Sequence, residues 1–362
     1  MKKRALALAI VGGLVLTGCE AMLERSYGST AVHVDKPTTA EDTSVLRVEN
    51  YRELLSAVLY LVSQGEEEGT IQFHNYAGEV ETDLTAACLE VAAEDPLGAY
   101  AVDYIKHEVN RVVSYDQAVV SIHYRRTAEQ IRSIVNVTGT SAIRAELQEA
   151  LAQFSSEVIL RVAYFSEDEG SIARLIRQAY YDVPYAALGM PQADITIYPD
   201  TGSQRLVEIL LTYPESEEQL REKSEELLAR VANISAAYWG MEPRAAAARA
   251  GIELKLYTSY APEGGATAYA ALLGGSANAE GMALAYALVC QQAGLTGEVV
   301  EGTYQGEDWF WNAVQFADGE RLYIDLAIGG VVFRTAEEFS ADGYQWLDGP
   351  PVEKTEGEEQ KT

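Results

Sequence analysis

The chain has 362 residues, enough for two or three domains, each with a core of its own. Hydrophobic residues make up 48% and charged residues 23%, a globular composition rather than a disordered one. The formal charge of -28 gives a surface that repels nucleic-acid phosphates and anionic headgroups, so a nucleic-acid partner is excluded.

Residues 1–18 open with Lys2, Lys3 and Arg4, followed by an apolar run from Ala5 to Leu16. This is the layout of a secretory signal peptide, and the run is short for a permanent span, which needs roughly 20 apolar residues. Leu16-Thr17-Gly18-Cys19 resembles the bacterial lipobox, in which cleavage precedes a cysteine that then carries lipid. The resemblance implies lipidation at Cys19, a membrane partner held through that lipid, and an extracytoplasmic location. Residues 19–44 are polar, without apolar periodicity, and read as a flexible tether. Residues 350–362 read as a disordered acidic tail.

Between them the fold class reads as α+β. Tyr51 to Val62 has helical spacing, Thr70 to Tyr76 alternates like a strand, and Leu84 to Ala93 returns to helix. Strands over 108–113 and 118–124 flank a turn near Asp116, and a further helix begins at 128. The order recurs: helix 145–154, strand 157–165, helix 171–181, strands 193–198 and 205–213, then a Glu-rich helix over 217–234. Two tandem α-β-α-β-β repeats follow, over 45–140 and 141–240. Asp200-Thr201-Gly202 matches one aspartic-protease triplet, but that chemistry needs a second, so it reads as a hairpin turn. His74, His107 and His123 share no metal-ligand spacing, and no metal or cofactor is expected. Asn136-Val-Thr and Asn233-Ile-Ser match the glycosylation acceptor pattern by chance.

The stretch Thr267 to Leu326 contains a small-residue turn, a helix from about Ala279 ending at Gly294, and strands carrying Val299-Val300-Glu301-Gly302, Trp311-Asn312-Ala313-Val314 and Tyr323-Ile324-Asp325. It resembles the transglutaminase-like (papain-type) superfamily, which implies a central helix packed on an antiparallel sheet over residues 241–349. The family's pattern puts a cysteine at the start of the helix, a histidine on a following strand and an aspartate on the next. Carried over residue by residue, those positions are Ala279, Trp309 and Asp325. Only the aspartate remains. A methyl group cannot attack a carbonyl, and an indole N–H only donates. Cys290 lies eleven residues along the helix, about 16 Å from the start, and reads as core. Ser276 has no base, because every histidine precedes residue 124.

The resemblance therefore implies no catalytic residues but a pseudoenzyme that binds or scaffolds at the cell envelope. Trp309, Trp311, Tyr304 and Tyr323 are the residues expected to line the former cleft, with a cell-wall glycan or peptide, or an envelope protein, as partner. Two alternatives differ in class: an assembly protein built on the repeats, and an active cysteine hydrolase or transglutaminase-like enzyme with a relocated nucleophile.

Overall fold

The structure, a computed structural model, describes residues 45–165, 167–238 and 240–347. The signal peptide, the lipidated Cys19, the tether and the acidic tail lie outside the described residues. The protein is a mixed α+β chain with several sheets. It divides into two compact units. Among the described residues, one holds Val45–Ala145 with Glu157–Ala173 and Asp194–Leu210, and the other holds Glu146–Ser156, Arg174–Ala193 and Leu211–Leu347. No helix among the described residues is long and apolar enough to cross a membrane.

The first sheet contains β1 (Val45–Val48), β2 (Glu68–Phe73), β3 (Val102–Val112) and β4 (Tyr115–Tyr124) in the order β1-β2-β4-β3. β1 is parallel to β2, and the other neighbours are antiparallel. Alternation buries Leu46, Val48, Ile71, Phe73, Ala118, Val120 and Ile122 in one core with Leu54, Ala57 and Leu61 of the helix Tyr51–Gln64 and Leu84, Ala87 and Val91 of the helix Val80–Ala93. The first of these helices starts where the Asn50 side chain accepts from the Glu53 amide, and stops at Gly65 in the left-handed region.

The second sheet contains β5 (Val135–Thr138), β6 (Glu157–Ala163), β7 (Gln192–Tyr198) and β8 (Arg205–Thr212) in the order β5-β6-β8-β7, with β5 parallel to β6. β1 and β5 are absent from the α-β-α-β-β pattern read in the sequence, and β5 joins the second sheet from before residue 141. The turn between β3 and β4 falls at Val113 and Ser114, ahead of Asp116. Asp200-Thr201-Gly202 sits in the connection between β7 and β8.

Within the first unit, Glu208 of β8 is buried and accepts from the Arg126 guanidinium at 2.7 Å and from the Tyr198 hydroxyl at 3.1 Å. Removing the cation would leave a buried carboxylate with one neutral donor. Arg126→Met is therefore expected to lower unfolding stability by about 3–5 kcal/mol, read from denaturant titration of parent and variant; a change below about 1 kcal/mol would show the pair to be solvated.

Candidate functional site

In the second unit, β9 (Ser259–Gly265) pairs in parallel with the two-residue β10 (Ser276–Ala277), which leads directly into the central helix Ala279–Gln292. Asn278 caps that helix, its side chain accepting from the Gly281 amide at 3.0 Å. Ala279 occupies the first helical position and is buried. Gly281 is glycine for a steric reason: a Cβ there would lie 2.5 Å from the Gly265 carbonyl oxygen. The helix is apolar on all sides, with Gly281 to Cys290 buried throughout.

The sheet that follows contains β11 (Thr296–Tyr304), β12 (Glu307–Gln315), β13 (Arg321–Ile324) and β14 (Tyr344–Trp346) in the order β13-β12-β11-β14, all antiparallel. Register sets the two faces. Asn312 donates to the carbonyl of Ala283 in the central helix at 2.8 Å and to that of Glu298 at 3.1 Å. Trp309 and Trp311, of opposite parity, join the aromatic cluster with Tyr323, Phe339 and Tyr344.

Asp325 follows the last residue of β13 and is 2% exposed. Its Oδ1 accepts from the backbone amides of Ala327 at 2.7 Å and Ile328 at 3.4 Å. Its Oδ2 accepts the Trp309 indole N–H at 2.8 Å and the Tyr344 hydroxyl at 2.7 Å. With Trp309 at the histidine position, the sequence pattern offers Asp325 no imidazole to orient. The structure corrects that: it orients an indole. Burial, and then donation to the carboxylate, hold the Tyr344 phenol well above its usual range. The Trp309 ring is half-buried, 5.7 Å from Tyr260 of β9 and 5.9 Å from Tyr304.

The four residues expected at the cleft divide. Trp309 and Tyr304 remain half-exposed. Trp311 and Tyr323 are each 1% exposed, packed on Phe339 and Trp346, so they form core and present no surface to a ligand. Sequence reasoning missed Tyr344 and Tyr260. They lie 19 residues after Asp325 and 19 before Ala279, without a local motif.

Next to Ala279, Glu280 accepts from the Tyr181 hydroxyl at 3.0 Å. Burial raises the Glu280 carboxyl, while Tyr181 and Arg177 oppose the rise. Arg177 is itself paired with Glu301. This cluster holds a carboxylate without a nucleophile.

Both described cysteines are sealed in the core. Cys290 is fully buried and Cys88 is 5% exposed; burial pushes both thiols up to about 12. His74 stacks on Tyr115, His123 stacks on Tyr104, and His107 neighbours Thr85, all on the first sheet or beside it. Among the described residues, no group of three His, Cys, Asp or Glu could hold a metal ion.

No family model matches the chain, and no curated protein matches it. Two solved structures are similar. One is a TGase, 12% identical, with 82% of this chain and 83% of that one covered and a TM-score of 0.28. The other is a protein from Parabacteroides distasonis proposed to be a protease, 11% identical, with 66% and 50% covered and a TM-score of 0.26. At these scores neither likeness carries an argument about this chain.

Three outcomes follow from the geometry. Native Cys88 and Cys290 are expected to resist iodoacetamide at pH 8 and to label fully in denaturant, read by peptide mass mapping. A thiol raised in the folded state binds its proton where the unfolded chain has released it. Stability should therefore fall as pH climbs from about 8.5, the unfolded value, towards the folded value of about 12. Trp309→Phe removes one donor to a carboxylate that keeps three. It is expected to lower stability by about 1–3 kcal/mol, measured by denaturant titration, without loss of cooperative unfolding.

Proposed function

We propose that the second unit is a transglutaminase-like domain that no longer performs acyl chemistry and serves as a binding module on the outer side of a bacterial membrane. A lipid on Cys19 would anchor the chain there. One observation carries this reading: the buried Asp325 carboxylate holds the Trp309 indole N–H at 2.8 Å. That is the bond the family's aspartate would give to its histidine. An imidazole so held has a second nitrogen to take a proton, and an indole has none. With Ala279 at the helix start, the attacking sulfur is missing as well.

The half-exposed Trp309 ring, fixed at its edge and flanked by Tyr260 and Tyr304, supports recognition by stacking, with a cell-wall glycan or peptide as the ligand class. The first two of the three four-stranded sheets support a duplicated β-α-β-α-β-β unit, since each begins with a parallel pair and repeats one strand order.

Purified protein is expected to show no thiol-dependent amide hydrolysis or transfer. Recovery of Trp309→Ala on isolated cell wall should fall several-fold below the parent; equal recovery would sink the stacking site. Metabolic labelling with a fatty acid should mark the parent and spare Cys19→Ala.

A further inference from the structure

Among the described residues, the first sheet has one face packed on helices and one that is not. Alternation assigns the second face: opposite the buried Ile71, Ala118 and Val120 lie residues that are half-exposed or exposed. Strand register aligns them in rows. One row runs Arg47–Gln72–Gln117–Asn110, straight across all four strands. Three of its four members are amides, and the Gln72 amide reaches the Gln117 carbonyl at 3.3 Å and the Tyr115 hydroxyl at 3.4 Å. The Arg47 Nε is buried and makes no hydrogen bond to any described residue.

Two ring stacks close the ends of this face. His74 lies on Tyr115 with centroids 4.8 Å apart, and His123 lies on Tyr104 with centroids 4.2 Å apart. Tyr115 and His123 are eight residues apart on β4, about 27 Å at strand rise. At the Tyr104 end the face enters a groove of about 760 Å3 that Ser121, Thr127 and Ile131 also line. Across the strands Arg47 and Lys106 stand against Glu68 and Glu108, and the groove adds Glu67 and Asp103 against Arg126, leaving the face one charge short of balance in a chain whose formal charge is -28.

We infer that this face binds a neutral, extended, amide-bearing polymer, an N-acetylated glycan strand. The chemistry selects that occupant. The three amides of the row both donate and accept, which suits hydroxyl and acetamido groups and gives no purchase to an apolar helix. Ring stacks at both ends offer flat platforms for sugar rings. An extended peptide would instead need an open strand edge, because backbone groups inside the sheet are already paired. The face lies in the first unit and does not depend on the reading of Trp309.

The test is isothermal titration calorimetry of the full chain in detergent with a β-1,4-linked N-acetylglucosamine hexamer. Saturable binding is expected for the parent, at least tenfold weaker binding for Gln72→Ala/Gln117→Ala and for Tyr104→Ala, and binding within twofold of the parent for Leu89→Ser, an exposed position on the helix Val80–Ala93. Should the double variant melt early, Ser121→Glu, a change on the half-exposed face, is expected to weaken binding as much. No saturable heat with the parent overturns the inference. So does parent-like affinity in the folded face variants, loss of binding in Leu89→Ser, or binding of spermine in place of the hexamer.

Discussion

A single buried carboxylate organises the second unit. Asp325 is nearly sealed from water, so its charge is tolerable only with hydrogen-bond donors around it. It has four, from three parts of the chain. Two backbone amides just beyond it pin one oxygen, and the indole of β12 and the phenol of β14 share the other. β14 is three residues long, pairs only at the edge of β11, and is tied inward through Tyr344. The aromatic cluster of Trp311, Tyr323, Phe339 and Tyr344 assembles around that anchor.

What the sequence disclosed followed from local physics. The central helix declares both ends, with an Asn at its cap and Gly294 just past its close, and its unbroken apolar run announces burial on every side. Gly281 could be read as a close-approach residue because nothing else explains glycine in a helix's first turn. Three of the four strands of the last sheet, β11, β12 and β13, were visible from their residues, within a few positions at each end, while the three-residue β14 was not. β1 and β5 were not. Four-residue strands such as Val45–Val48 and Val135–Thr138 are too short for alternation to register, and their parallel partners lie more than 20 residues away.

The misreading of the cleft has a similar origin. Trp309 and Trp311 are two apart on one strand, so they share a face, and sequence pattern cannot rank their depth. Depth is set by the helix Ala336–Ala341 and β14, which cover Trp311 and Tyr323 and leave Trp309 at the margin. No motif near residue 309 announces a lid at 336–346. Nor could any sequence rule give Asp325 an indole for a partner, since that pairing departs from the pattern that drew attention to the site.

On the proposed reading, an indole stands where a histidine would, and the geometry can stay while the reactivity goes. To a carboxylate, an imidazole N–H and an indole N–H are the same kind of partner, so such an exchange need not disturb the anchor that holds β12, β13 and β14 together. What would differ is the far side of the ring, a carbon edge and a broad apolar plane in place of a basic nitrogen. The helix start fits the same reading. A cysteine there would draw its reactivity from unpaired amides at the helix N-terminus. A methyl group sits among them, and Asn278 already satisfies the Gly281 amide. The hydrogen bonds that fix the architecture run through atoms other than those that would react, so the proposed loss of catalysis needs no loss of the scaffold.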